Sequence, residues 1–381
     1  MTAGRRTRIL IVDDSVVMRS LLRTVVGTDA ALEVAGTAAD GESALRSIET
    51  VRPDLILLDV EMPVKDGLAT LRELRARGYK MPVIMCSSLT QRGAKVTIEA
   101  LTGGASDYVT KPAGQSGRDA AIETLAQDLL PKIHALTGAL PAQPHVRAQV
   151  MAAGAARLPL MLPLAPVLKQ KPISSVPVVL AIGVSTGGPA ALELLLPALP
   201  AKFPLPVMIV QHMPELFTGL LAERLNGRCR LPVREAAEGD AVRAGSIYIA
   251  RGNWHMEVLA ASRGGSPATL HLNQGPMENH CRPAVDALFR SVASVYGAGV
   301  LAVVLTGMGS DGTMGCRMIR DLGGSVLAQD QASSAVWGMP GSVVNAGLAH
   351  RVLPLNAMVP EILRICSRAK NEASELRKAV V

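Results

Sequence analysis

Aromatic side chains are nearly missing from this 381-residue chain, which has two tryptophans, four tyrosines and three phenylalanines. With apolar residues near half of the composition and 35 glycines, small aliphatic side chains must fill the core, which suits closely packed α/β layers. Cysteine is sparse as well. The five, Cys86, Cys229, Cys281, Cys316 and Cys366, are odd in number, widely spaced and without a C-x-x-C pair. That excludes a disulfide scaffold and fits a reduced, cytoplasmic compartment. No apolar run approaches the roughly 18 residues of a membrane span, so no membrane insertion is expected. The basic start passes through Ile9-Leu10-Ile11-Val12 straight into acids, too short an apolar stretch for a signal peptide. The net charge of +7 is not gathered into a long Lys/Arg block. Arg5-Arg6-Thr7-Arg8 is the one dense group and reads as a solvated flank, so no nucleic-acid partner is expected. Internal repeats are absent too.

What is present is alternation. The length allows two domains of ordinary size and a linker. In the first third, the strand-like runs Ile9–Val12, Leu55–Leu58, Pro82–Cys86 and Tyr108–Thr110 are separated by helical patterns, among them residues 41–50, 67–77 and 93–102. Strands alternating with helices imply a parallel sheet covered on both faces, with functional groups at the carboxyl ends of the strands. Those ends carry Asp13, Asp14, Asp59, Ser87 and Lys111. Three carboxylates at one sheet edge repel unless a cation joins them, and hard oxygen ligands favour Mg²⁺. A lysine beside them adds positive charge for an incoming phosphate. Each acid alone is equally well read as a turn residue or helix cap, and Asp14 or Ser15 is placed to cap the first helix.

Ile11-Val12-Asp13-Asp14-Ser15, Leu58-Asp59-Val60-Glu61-Met62-Pro63, Ser87-Ser88 and Val109-Thr110-Lys111-Pro112 together resemble the receiver domain of two-component response regulators. The resemblance implies a flavodoxin-like fold over residues 1–137 in which Asp59 accepts phosphate from a chemotaxis histidine kinase. It also implies Mg²⁺ held by Asp13, Asp14, Asp59 and the backbone carbonyl of Glu61, with Ser87 and Lys111 on the phosphoryl group and Tyr108 as the switch aromatic.

From 138 to 175 the pattern dissolves into proline, alanine and leucine with basic residues and no acids, the signature of a linker. Its stretch from Leu158 to Leu168 is unusually apolar, but three prolines deny it a stable helix and packing on a domain is the expectation.

The second half is organised around Val178-Val179-Leu180-Ala181-Ile182-Gly183-Val184-Ser185-Thr186-Gly187-Gly188-Pro189, a buried-strand pattern breaking on glycines before a helical pattern. Gly183 to Gly187 fits G-x-S-x-G, which presents a serine hydroxyl at a sharp strand-to-helix turn. A weak nucleophile needs an imidazole to take its proton and a carboxylate to fix the imidazole's tautomer. The run Val207–Val210 ends in Gln211-His212, and Gly299–Leu305 ends in a glycine-rich loop holding Asp311. If these strands are parallel neighbours, Ser185, His212 and Asp311 emerge at one edge. His255, His271 and His280 compete with His212, the first two in a hairpin-like region from 246 to 273, and Asp286 and Asp330 compete with Asp311. G-x-G-x-x-G is absent, which argues against a dinucleotide site, and no basic helix-turn-helix follows the first domain.

Ile182–Gly188, Val210-Gln211-His212-Met213-Pro214, Tyr248-Ile249-Ala250, Arg282-Pro283-Ala284-Val285-Asp286, Leu305–Gly312 and Trp337-Gly338-Met339-Pro340 resemble the catalytic domain of the chemotaxis protein-glutamate methylesterases. The resemblance implies a three-layer α/β/α hydrolase domain over 176–369 with a mainly parallel sheet, followed by a tail at 370–381. It implies Ser185 as nucleophile, His212 as base and Asp311 as orienting acid, with Thr186 and the Met308 backbone at the oxyanion site. The activity implied is hydrolysis of glutamyl methyl esters on methyl-accepting chemotaxis receptors, with release of methanol, and deamidation of certain receptor glutamines. It needs no cofactor for ester hydrolysis, and phosphorylation of the receiver gates it.

Overall fold

A computed structural model describes residues 5–112, 117–139, 176–261 and 267–379, with side chains described as far as residue 367. The linker expected at 138–175, with its apolar stretch, lies outside the described residues from 140 onward.

The N-terminal unit is five βα steps: β1 (Thr7–Val12), α1 (Val16–Gly27), β2 (Leu32–Ala38), α2 (Gly41–Val51), β3 (Leu55–Asp59), α3 (Gly67–Ala76), β4 (Val83–Ser87), α4 (Gln91–Thr102), β5 (Asp107–Thr110) and α5 (Arg118–Thr137). The strands pair in parallel in the order β2-β1-β3-β4-β5, the doubly wound arrangement expected. The first four strands are each followed by a polar residue able to start the next helix, while α5 begins after Gly117 without a side-chain cap. Ser15 caps α1 by accepting from the Met18 N–H, and Asp40, Asp66 and Thr90 cap α2, α3 and α4 in the same way. Ile9, Ile11, Leu55 and Leu57 face α1 and α5, while Leu10, Val12, Ile56 and Leu58 face the other three helices. Alternation within continuous apolar runs therefore fills both faces of the sheet.

The C-terminal unit has β6 (Val179–Val184), α6 (Gly188–Leu195), β7 (Val207–Gln211), α7 (Glu215–Asn226), β8 (Val233–Glu235), β9 (Ile247–Ile249), β10 (His255–Leu259) and β11 (Thr269–Asn273). It continues with α8 (Val285–Tyr296), β12 (Val300–Val304), α9 (Thr313–Asp321), β13 (Ser325–Gln329), α10 (Met339–Asn345), β14 (Arg351–Leu353) and α11 (Leu355–Ala379). Seven strands form one sheet in the order β14-β13-β12-β6-β7-β9-β8, every described pairing parallel. The antiparallel β10–β11 hairpin stands apart and carries His255 and His271. Helices α6, α7 and α11 cover one face through Leu192, Phe217 and Ile362, and α8, α9 and α10 cover the other through Phe289, Ile319 and Val343. Helix α11 runs through residue 369 without a break.

The chain leaves β6 toward β7 on one side and reaches β12 on the other, so the strand order reverses at β6. Crevices at such a reversal, outside the carboxyl ends of the strands, are where parallel α/β sheets bind ligands. The two units touch at this same end. Helix α4 packs against α6 and α7, and the apolar core of the α2–α4 side runs on into that of α6 and α7. Tyr108 of β5 stacks on Phe217 of α7, ring centroids 4.6 Å apart.

Candidate active site

Two polar centres stand at the carboxyl edges of the two sheets. In the N-terminal unit, β1 and β3 are adjacent and end in step, so Asp13 and Asp59 lie side by side, buried, while Asp14 is exposed. One ligand atom from each of the three carboxylates falls within 4.8 Å of the others. Lys111 reaches in from the end of β5, its Nζ 2.8 Å from Asp13 Oδ2 and 2.7 Å from Asp59 Oδ1. Burial pushes the Asp59 carboxyl up to about 6 in spite of the lysine, which pulls it down. Asp13 Oδ2 is buried and accepts no well-directed hydrogen bond, although the Lys111 charge is near. Three hard oxygens, one of them unsaturated, and an uncompensated negative charge fit a small divalent cation such as Mg²⁺. Ser87 lies at the end of β4, fully buried, its Oγ accepting from Thr97 Oγ1 at 2.8 Å. The Glu61 N–H leans toward Asp59 Oδ1 at 3.4 Å.

In the C-terminal unit, Ser185 follows β6, His212 follows β7, and Asp311 sits in the loop after β12. Registers that pair Val184 with Gln211 and Gly183 with Val304 set the three ends level. The turn needs its glycines. Gly187 has φ of +75°, and a Cβ on Gly183 would come within 2.4 Å of Val285 Cγ1 on α8. Gln211, buried under the turn, donates from Nε2 to the carbonyls of Ser185 (3.0 Å) and His212 (3.3 Å), bracing the two residues together.

His212 Nε2 lies 2.8 Å from Asp311 Oδ2. The Asp311 carboxylate also accepts from the backbone N–H groups of Val285, Asp286 and Gly312 and from Asn279 Nδ2, all between 2.7 and 3.0 Å. Val285 and Asp286 open α8, so the carboxylate caps a helix N-terminus, where backbone donors and the helix dipole both favour an anion. Burial opposes its charge, yet His212 and these donors hold its carboxyl below the usual range. Burial likewise opposes charge on His212, and the hydrogen bonds to Asp311 and Cys281 outweigh it, raising the imidazole to about 9. With Nε2 given to Asp311, Nδ1 is the nitrogen left as acceptor. That nitrogen is 3.6 Å from Cys281 Sγ, and Ser185 Oγ makes no hydrogen bond among the described residues. Thr186 is buried, and its Oγ1 donates to Asp107 Oδ2 of the N-terminal unit at 2.6 Å. The Met308 side chain is exposed beside Gly307, which bridges to Trp337.

The rival residues take other duties. His255 accepts from the Ala284 N–H and reaches the Pro276 carbonyl; His271 pairs with Glu238 at the surface; His280 is exposed. Asp286 accepts from the Gly315 N–H and Asn279, and Asp330 holds a turn through Ser333. Asn279, Cys281, Gln211 and Asp107 escaped the sequence reading. Asn279 and Cys281 lie in a loop whose nearness to Asp311 and His212 only the fold reveals. Gln211 carried a signal, standing between a strand and a candidate base.

Two known families match the chain, one in each unit. Residues 9–123 match the response regulator receiver domain and residues 180–362 the CheB methylesterase domain. A protein-glutamate methylesterase/protein-glutamine glutaminase of Trichodesmium erythraeum is 48% identical over 357 residues, 94% of this chain and 98% of the relative. One from a Nocardioides species is 48% identical over 363 residues, 95% and 96% of the two chains. The crystal structure of the Thermotoga maritima CheB methylesterase catalytic domain matches at 40% identity and a TM-score of 0.48, covering 50% of this chain and 98% of that one. Among the described residues, no helix is long and apolar enough to cross a membrane. With a relative at 48% identity aligned along nearly the whole of both chains, this chain belongs to the protein-glutamate methylesterase/protein-glutamine glutaminase family, a methylesterase domain behind a response regulator receiver.

Proposed function

We propose that the chain is a phosphorylation-gated serine hydrolase that demethylates glutamyl esters on the cytoplasmic helices of chemoreceptors, releasing methanol, and deamidates certain receptor glutamines. The observation that carries this reading is the His212–Asp311 pair at 2.8 Å, level with the Ser185 turn at the reversal of strand order. Ser185 Oγ attacks the side-chain carbonyl carbon while His212 takes its proton at Nδ1. The C=O bond opens to an oxyanion facing Thr186 and the Met308 backbone N–H. Asp311 stabilises the imidazolium, which returns the proton to the leaving methanol or ammonia as the acyl-enzyme forms. Water then adds by the same base, its proton passes to Ser185 Oγ, and a free glutamate leaves.

The gate is the receiver. Asp59 accepts the phosphoryl group of a histidine kinase, and Ser87 and Lys111 hold its oxygens. Asp13, Asp14, Asp59 and the Glu61 carbonyl would hold Mg²⁺, which would supply positive charge for that transfer. The contacts of Asp107 with Thr186 and of Tyr108 with Phe217 support gating, because they join the receiver to the serine turn and to the helix after His212. The test is methanol release from methylated receptor membranes by the full chain and by Ser185→Ala, with and without acetyl phosphate and Mg²⁺. Release that requires Ser185 and rises with the phosphodonor is expected. Release by Ser185→Ala at the wild-type rate would remove the serine mechanism.

A further inference from the structure

The catalytic imidazole is engaged on both nitrogens, and neither partner is the serine. Nε2 is held by Asp311 at 2.8 Å, and Nδ1 stands 3.6 Å from the sulfur of Cys281, within reach for an imidazolium N–H that gives its hydrogen to sulfur. The cysteine does not drift there. Glu278 and Cys281 exchange backbone hydrogen bonds at 3.1 and 2.8 Å, closing a tight loop. Arg290 of α8 clamps Glu278 with two bonds, Asn279 bridges Asp311 and Asp286, and Arg282 is fixed on Asn253 Oδ1 and the Gly275 carbonyl. The loop thus presents the thiol from a rigid frame inside the C-terminal unit, independent of the receiver.

We propose that Cys281 is a positioning residue of the hydrolytic site: its thiol holds the His212 imidazole in a resting orientation and must release Nδ1 before that nitrogen can serve Ser185. The inference rests on the serine mechanism above. Physically, Cys281 competes with Ser185 for one ring nitrogen. While Nδ1–H rests on the Cys281 sulfur the ring is the charged imidazolium, and in that state the base is already spent. The groups that bear on His212 are Asp311 from the loop after β12 and Cys281 from its loop. Behind them stand Asp286 and Arg290 of α8 and Glu278, and Asp107 of the receiver lies on Thr186. Of these, Cys281 is the one that meets the acceptor nitrogen.

A fluorophosphonate probe reads the serine and its base without a receptor substrate. Its rate of attachment to Ser185 is followed against pH in the full chain, in Cys281→Ala and in Cys281→Ser, with Ser185→Ala as the control and the labelled residue located by mass spectrometry. Removing the thiol is expected to lower the midpoint of the acid limb by about one pH unit, which below the midpoint is a rate about tenfold higher. The serine variant keeps an acceptor on a shorter bond and moves the same way by less. A wild-type midpoint and rate in Cys281→Ala overturn the inference. If that variant does not fold, a midpoint in Cys281→Ser no lower than wild type does so instead. Labelling that persists in Ser185→Ala removes the serine mechanism itself, whereas serine-dependent labelling with an unmoved midpoint removes only the part assigned to Cys281.

Discussion

Thr186 Oγ1 donates to Asp107 Oδ2 at 2.6 Å, across the boundary between the two units and one residue from Ser185. Both side chains are buried. The contact opposes the proposed chemistry twice, since it occupies a group assigned to the oxyanion and sets a carboxylate where negative charge must develop. Asp107→Ala is expected to raise hydrolysis by the unphosphorylated chain about tenfold, below the roughly 10²–10³ that one oxyanion donor is worth. Asp107→Asn, neutral but still able to accept, should rise less. Methanol release without phosphodonor measures both; no rise in either variant would leave the contact a packing detail.

Much of this arrangement was legible in the chain, and what was not has physical causes. Central strands such as Leu55–Asp59 and Val300–Val304 are buried on both faces, so each reads as a continuous apolar run. Strand β2 escaped because it is an edge strand, half-buried and broken by Gly36, and β8 and β14 because three residues carry no period, whereas β9 falls within the strand-rich region expected at 246–273. Ser185, His212 and Asp311 were legible because each directly follows a strand or its glycine loop. Asn279 and Cys281 were not, because a loop leaves no periodicity to say which strand end it folds over.

The acidic centre of the receiver predicts a stability test. Asp13 and Asp59 share the single cation of Lys111, so one buried negative charge is uncompensated. Since burial raises the Asp59 carboxyl to about 6, the folded state binds a proton more tightly than the unfolded chain, whose Asp lies near 3.8. The unfolded chain therefore loses that proton first. Stability falls as pH rises from about 4 toward 6 and stays lower above it. Asp59→Asn removes the charge and is expected to add on the order of 1 kcal/mol at pH 7.5, about 2–4 °C in melting temperature. Mg²⁺ should stabilise the wild type more than this variant. Melting curves at several pH values, with and without Mg²⁺, decide; a lower melting temperature for Asp59→Asn at pH 7.5 contradicts the argument.

On the proposed mechanism, His212 sets the pH dependence of the hydrolase. Its imidazole, raised to about 9, is mostly protonated at neutral pH and cannot then act as a base. For the full chain, the rate of probe attachment to Ser185 is expected to climb about tenfold per pH unit from 7 and to level near 9. The sign for stability is the reverse. A folded pKa above the unfolded value near 6.5 contributes stability that is fully present below about 6.5 and lost as pH rises through about 9. A rate already level at pH 7 would show that the base is not held in its charged form.

Thr97 joins the proposed phosphorylation centre to the interface. Its Oγ1 donates to Ser87 Oγ at 2.8 Å, both groups fully buried, and it stands on α4, the helix that packs on α6 and α7. Ser87 Oγ accepts here and keeps its own proton for a phosphoryl oxygen on Asp59; a Ser87 side chain that moves toward that oxygen would leave Thr97, and on that movement the bond belongs to the resting arrangement. Thr97→Val keeps the shape and deletes it, weakening that arrangement by about 1 kcal/mol, close to a fivefold change in the docked population. Basal methanol release should therefore rise about fivefold while the fully phosphorylated rate stays the same, so that activation by acetyl phosphate shrinks by the same factor. Phosphate incorporation into Asp59, measured in parallel, should be unchanged. If basal release stays at the wild-type level while phosphorylation is intact, the hydroxyl pair does not hold α4 in place, and the receiver must act on the serine turn through Asp107 and Tyr108 alone.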